Sequence, residues 1–344
     1  MKKIPGLIFK AFLWLVLAFL MLFIIEYFNT ANNDYNIAST VEQNPDIPHL
    51  DVNGTRLHLE TFGSDTSQPV IVIHGGPGMD FNHLLSLKAL SDEYFLIFYD
   101  QRGSGLSPRL EASALSHENS VSDLEAIARH FSPNRRVNII GHSYGAMLAT
   151  SFLGKNPDRV NKIVLAEPGI LSPEVAPVFQ KRTGGLNAEF SFPLLWFIFK
   201  SWVGSYHVKA IDDEAGNDYF LRQLIFGYHD KSHPLSGYFC DGILPETFDL
   251  WRYGALAAST VPNGFLDKNG NFVKNISEGA MHFKEKVLFL TGDCNTYLNK
   301  DFQILNMKYF ANPEMKLVAN AGHYMFNDNP VQCNQMIREY FGEK

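Results

Sequence analysis

Apolar residues fall first into one unbroken block and then into short, punctuated runs. Ala11 to Ile25 has no charged or strongly polar side chain, so as a helix it is apolar on every face, unlike a surface helix with one buried stripe. From Pro48 onward the runs shorten to strand length. His49 to Val52 and Thr55 to Phe62 flank Asn53-Gly54, a pair that supplies the positive φ angles of a tight two-residue turn, and a hairpin is predicted there. Pro69 to Ile73 is continuous and β-branched, as suits a strand buried on both faces. Phe95 to Tyr99, Arg136 to Ile140, Lys162 to Glu167, Val287 to Thr291 and Met315 to Val318 read as further strands. Helical spacing marks Phe81 to Leu90, Ser122 to Phe131, Ala146 to Leu153 and Pro330 to Tyr340.

Between Gly169 and about Glu285 the pattern changes. Phe190 to Trp202 is aromatic on too many faces for a simple surface helix. Asp212, Asp213, Glu214 and Asp218 come next, and Tyr219 to Phe226 and Phe248 to Leu256 then resume helical spacing. No internal repeat or low-complexity tract interrupts the chain.

Length and charge narrow the classes. With 344 residues, 46% of them hydrophobic, the chain can bury one large core and carry a smaller subdomain. A net charge of −7 with no long basic run excludes a nucleic-acid footprint. Cys240, Cys294 and Cys333 show neither CxxC spacing nor a ligand cluster, which argues against a zinc site or a disulfide framework; one pair could still bridge in an oxidising compartment, and spacing does not say which.

The N-terminal block is a separate object. Lys2, Lys3 and Lys10 precede it, while Glu26 and Asp34 come soon after, an order that exports the rest of the chain. Ala11 to Ile25 gives ~22 Å of helix, short of a ~30 Å hydrocarbon core unless Lys10 snorkels and the neighbouring apolar residues complete the span. An uncleaved membrane anchor over residues 1–28 is the preferred reading, because a small-residue cleavage site is poorly met near Ala31 or Ala38. A cleaved signal segment is the alternative. Residues 29–47, polar and rich in asparagine, then form a tether, and the catalytic domain sits outside the cytoplasm.

The strongest chemical signal is Gly141-His142-Ser143-Tyr144-Gly145, set between a predicted strand and a predicted helix. That context makes it a nucleophile elbow: the turn exposes the Ser143 hydroxyl, and glycines two residues to each side remove Cβ clashes. His74-Gly75-Gly76-Pro77-Gly78 ends an earlier strand, where Gly76 would share an oxyanion hole with the N–H of Tyr144. Asp100-Gln101-Arg102-Gly103-Ser104-Gly105 ends another, and Asp100 and Arg102 are expected to pair and brace that loop.

Taken together and in this order, these three motifs resemble the proline iminopeptidase branch of the α/β-hydrolase superfamily. The likeness covers about Pro48 to Leu165 and Val287 to the end. It implies the α/β-hydrolase fold, with a mostly parallel central sheet flanked by helices, a helical cap inserted after the strand that follows the elbow helix, and no cofactor. The expected division is a core at 48–169 and 286–344 and a cap at 170–285.

His323, in Asn320-Ala321-Gly322-His323-Tyr324, comes after the last strand, where such hydrolases keep their general base. His142 is expected to point away across the elbow turn, and His74 to bond the loop backbone. The acid departs from the family pattern: after Thr291 the register puts Asn295, not a carboxylate, at the usual position. Glu167, at the end of the strand after the elbow helix, is the preferred substitute, and Asp293 the alternative. A buried carboxylate at a strand edge requires a partner.

The resulting expectation is a membrane-tethered serine hydrolase working through an acyl-enzyme. The resemblance makes a peptide losing its N-terminal residue the preferred substrate, with cap carboxylates binding the ammonium, and an acyl ester in an aromatic-lined pocket is the alternative. The lipid bilayer is the other partner, and the oligomeric state is left open.

Overall fold

A computed structural model describes residues 4–33, 35–184 and 191–343. Lys2, Lys3, Asp34 and Phe190 lie outside the described residues. Eight strands form one sheet in the order β1-β2-β4-β3-β5-β6-β7-β8. The strands are β1 (His49–Val52), β2 (Thr55–Phe62), β3 (Gln68–Ile73), β4 (Tyr94–Tyr99), β5 (Val137–His142), β6 (Val160–Ala166), β7 (Val287–Gly292) and β8 (Pro313–Val318). β1 and β2 pair antiparallel through the Asn53-Gly54 turn, where φ is +46° and +78°. β2 also pairs antiparallel with β4, and the remaining pairings are parallel. Every residue of β4, β5 and β7 is buried, as parallel strands covered on both faces require.

The helices are α1 (Ile4–Thr30), α2 (His117–Phe131), α3 (Tyr144–Lys155), α4 (Ala176–Thr183), α5 (Phe192–Ser205), α6 (Ala215–Phe226), α7 (Ala255–Asn263), α8 (Lys300–Met307), α9 (Met325–Asp328) and α10 (Pro330–Gly342). Two cores lie on opposite faces of the sheet. α2 and α3 cover one with Leu124, Ile127, Leu148 and Phe152, and α10 covers the other with Ile337 and Tyr340. The helix expected over Phe81 to Leu90 is a 3₁₀ run at Asn82–Asp92. α4 to α7 form the cap between β6 and β7, and buried Asp80 fastens it to the core by accepting from the Trp251 and Arg252 N–H groups at 2.7 and 3.1 Å.

α1 stays exposed along most of its length. Over Ile8–Thr30 its hydropathy is 2.7, with none of its most apolar window buried. The segment after it, expected to serve as a tether, packs against the domain. Tyr35 and Val41 are buried, Val41 N donates to Leu106 O at 2.9 Å, and Arg252 donates to Ala38 O. Asparagine-rich sequence holds this path because its side chains and backbone meet fixed partners, a long-range circumstance that composition does not carry.

Candidate active site

Loops at the carboxyl ends of β3, β5 and β8 line one cavity, and the loops after β6 and β7 meet the β8 loop beside it through Glu167 and Asn295. Ser143 sits between β5 and α3 at φ +55° and ψ −118°, a conformation L-residues rarely adopt and one that the surroundings must enforce. The flanking glycines allow it. A Cβ on Gly145 would come within 2.2 Å of Ile73 O, and one on Gly141 within 2.6 Å of Gly145 O. Tyr144 opens α3, so its N–H lacks an intrahelical acceptor. Gly76, at φ +104°, lines the same cavity as Ser143 and His323.

Glu167 comes directly after β6 at φ +44°, fully buried. Its Oε2 lies 2.6 Å from His323 Nδ1 and accepts from Asn295 Nδ2 at 2.6 Å, while Oε1 accepts from Gly292 N at 2.8 Å. Asn295 cannot turn its oxygen toward Glu167, because Oδ1 already accepts from the Tyr297 and Leu298 N–H groups at 2.9 and 3.0 Å. The asparagine at the usual acid register therefore serves as a fixed donor to the carboxylate on the neighbouring strand. Asp293 is exposed and accepts from Ala321 N at 3.3 Å, so it faces away from the imidazole.

Burial lowers the His323 pKa to about 3. Burial likewise raises Glu167 well above the ordinary carboxylate range, opposed by the Gly292 and Asn295 donors. With Nδ1–H directed at Glu167, the other ring nitrogen is left as an acceptor, the form a general base needs.

His142 does not point away. Its ring centroid is 4.6 Å from that of His323, and Nε2 lies 2.7 Å from His323 O, so it supports the imidazole from beneath. A second support comes from the cap, where Tyr238 O accepts from His323 N at 2.7 Å and the two rings lie 4.6 Å apart. Cys240, two residues on, forms a disulfide with Cys294, joining the cap segment behind His323 to the loop that carries Asn295. Sequence left that pairing open; the position of Cys294 beside the acid register was its one local sign. Cys333 is free and buried.

His74 bonds the loop backbone, with Nδ1 2.7 Å from Gly75 O and Nε2 accepting from Gln101 N. Asp100 and Arg102, however, do not pair. Asp100 accepts from His58 Nδ1 at 2.6 Å and from the Phe81 and Leu106 N–H groups. Arg102 makes a bidentate pair with Asp123 of α2 at 2.6 and 2.7 Å. Both brace the loop, each through a partner distant in sequence.

Two of the cap carboxylates, Asp212 and Asp218, are committed to arginines. Arg252, fully buried, donates twice to Asp212 at 2.7 Å and once to Asp218 at 2.7 Å. Asp218 further accepts from Arg109 and from Ala255 N. The cavity at Ser143 has a volume of about 500 Å³, and Met79, Leu194, Ile198, Leu224 and Phe226 are among its walls; among the described residues no aspartate or glutamate lines it.

The α/β-hydrolase fold family model matches residues 68–330. A cis-3-alkyl-4-alkyloxetan-2-one decarboxylase of Shewanella oneidensis is 22% identical over 86% of this chain and 87% of that protein. Proline iminopeptidase of Heyndrickxia coagulans is 34% identical, over 36% of this chain and 43% of that protein. Among solved structures, an epoxide hydrolase of Bacillus megaterium superposes with a TM-score of 0.61 at 16% identity, covering 86% of this chain and all of that one.

Proposed function

The chain belongs to the α/β-hydrolase fold family, and from that premise we propose that it is a serine hydrolase of apolar acyl esters, working through Ser143, His323 and Glu167. Ser143 Oγ attacks the ester carbonyl while His323 takes its proton, and the Gly76 and Tyr144 N–H groups receive the oxyanion. His323 then protonates the departing alkoxide, and water releases the acyl group by the same steps in reverse. Glu167 keeps the imidazole oriented and balances the imidazolium charge.

One observation carries the ester over the peptide: among the described residues the cavity wall holds no carboxylate. A free N-terminal ammonium entering it would lose its hydration with no countercharge in return. Of the sequence candidates for that role, Asp212 and Asp218 already neutralise Arg252 and Arg109, and Asp213 and Glu214 do not line the cavity. The dialkyl cyclic ester in the name of the Shewanella oneidensis relative fits the same apolar lining.

Retention of α1 as an anchor and export of the domain complete the reading. The lysines ahead of the apolar block favour that orientation, and a Cys240–Cys294 disulfide suits an oxidising compartment.

A substrate panel tests the proposal. Full-length protein should be labelled at Ser143 by a fluorophosphonate and should cleave 4-nitrophenyl acyl esters at least tenfold faster, by kcat/KM, than aminoacyl-arylamides including the prolyl one. Preference for an arylamide would replace the ester reading with the peptidase one.

A further inference from the structure

α5 presents two apolar faces to two different surroundings. Leu194 and Ile198 enter the wall of the Ser143 cavity. Elsewhere on the helix Phe192 and Leu195 are 79% and 50% exposed, a surface that water disfavours. Lys200 is the sole charge of α5 and is exposed.

The exposed face continues the surface of α1. Phe199 and Trp202 meet Phe19 at centroid distances of 5.7 and 6.3 Å, and Trp202 and Tyr206 meet Phe23 at 5.3 and 5.7 Å. Later residues of one helix meet later residues of the other, so the two run in the same direction. Just beyond α5, His207 Nε2 lies 2.9 Å from Tyr27 O and 3.2 Å from Thr30 Oγ1, closing the join.

That register sets the depth of α5. Ile8–Thr30 is 23 residues, or ~34 Å at ~1.5 Å per residue, enough for a ~30 Å hydrocarbon core. Glu26 is the charged residue at the domain end of this span, and Phe19 lies ~10 Å deeper. Phe199 shares the level of Phe19, and the first turn of α5 extends ~10 Å further in the same direction. Whatever surrounds the middle of α1 therefore surrounds the exposed face of α5, and a helix this apolar is stable in lipid. The Lys200 stem is long enough to carry its ammonium back toward the headgroups.

We propose that α5 lies in the leaflet beside α1 and forms the partition between bilayer and cavity, so that the substrate is the acyl ester of a membrane lipid, entering past α5 from the lipid side. The substrate half of this proposal rests on the acyl-hydrolase reading of Ser143. In the reaction the Ser143 Oγ–acyl carbon bond forms and the lipid C–O ester bond breaks. The serine proton passes by way of His323 to the released alcohol, and water then frees the fatty acid.

The test uses the full chain in phosphatidylcholine vesicles and reads position and turnover separately. For position, Leu195→Cys on a Ser143→Ala background carries a bimane label, and the lipids carry nitroxides midway along their acyl chains. At least half of the fluorescence should be quenched. The same label at Asp65→Cys, in the loop before β3 at the sheet end remote from Ser143, should keep its emission. An unquenched label at 195 overturns insertion of α5. For turnover, Phe192→Glu/Leu195→Glu should hydrolyse soluble 4-nitrophenyl butyrate within twofold of the unaltered protein, while dioleoylglycerol hydrolysis in the vesicles falls at least tenfold. Equal retention of both activities overturns the lipid path. If the unaltered chain cleaves neither ester although the label at 195 is quenched, the acyl-hydrolase reading and the lipid substrate fall together and the membrane position of α5 stands.

Discussion

Replacing Glu167 with glutamine isolates its charge from its shape. The carboxylate accepts from Gly292 N through Oε1 and from Asn295 Nδ2 and His323 Nδ1 through Oε2. A glutamine amide brings one oxygen and one donor nitrogen to those sites. With its oxygen at the Oε2 position, contacts to Asn295 and His323 survive and the NH₂ opposes Gly292 N–H; turned over, it opposes both other donors. The first arrangement is favoured, since it leaves one unsatisfied donor rather than two. Its cost in stability is one buried hydrogen bond, about 1–3 kcal/mol. The imidazole tautomer is kept, but the imidazolium formed during acyl transfer has lost its countercharge in a site already dry enough to hold the His323 pKa near 3. The expected fall in kcat on a short 4-nitrophenyl ester is about 10³–10⁴, or ~4–5.5 kcal/mol at ~1.36 kcal/mol per decade, with KM changed less than threefold. Asp293→Asn, at an exposed position, should change kcat less than threefold. The reasoning is refuted if Glu167→Gln keeps a tenth of the activity in folded protein, or if Asp293→Asn abolishes it.

Three other outcomes are expected from the same geometry. Because burial lowers the His323 pKa below its ordinary 6.5, the neutral base persists into acid solution, and the acid limb of kcat/KM should have its midpoint below pH 6.5; a midpoint above 7 would contradict that sign. Cys240→Ser/Cys294→Ser opens a loop with a sequence separation of 54, and urea unfolding should show a loss of up to about 4 kcal/mol, with kcat reduced because Tyr238 and Asn295 lose a shared restraint; unchanged stability and turnover would make the bridge incidental. Arg252→Leu leaves Asp212 and buried Asp218 short of a countercharge and should destabilise the protein by about 3–5 kcal/mol, read from the denaturant midpoint; a loss under 1 kcal/mol would show that Arg109 suffices.

What could be read from sequence was what neighbouring residues decide among themselves. Asn53-Gly54 determines a turn, a serine between a strand and a helix determines an elbow, and the register after Thr291 puts Asn295 where a carboxylate was expected. The same register directed attention to Glu167, which lies against His323 in the structure. Pairings across long stretches of chain left no such trace. Nothing near Asp100 points to His58, nothing near Arg102 points to Asp123, and the acidic run at Asp212 is silent about Arg252. Those partners are chosen by the topology that brings β2, α2 and the cap against the same loops. His142 was misread for a related reason: its orientation depends on the loop of His323, 181 residues away.

The packed course of Tyr35 to Asn44 has a kinetic meaning. A free linker of the nineteen residues at 29–47 would let a domain roam ~22–26 Å from its root, sampling whatever lies within that radius. Here Tyr35 rests against His207 and Tyr219, Val41 is hydrogen-bonded to the core, and the domain has no slack. Anchored through α1 as proposed, such an enzyme would have no reach toward a second membrane or a distant particle. On the proposed lipid substrate its encounters would be two-dimensional, set by how many substrate molecules share its own patch of bilayer and not by how many are dissolved above it, so diluting that bilayer with inert lipid would slow turnover even at constant total substrate.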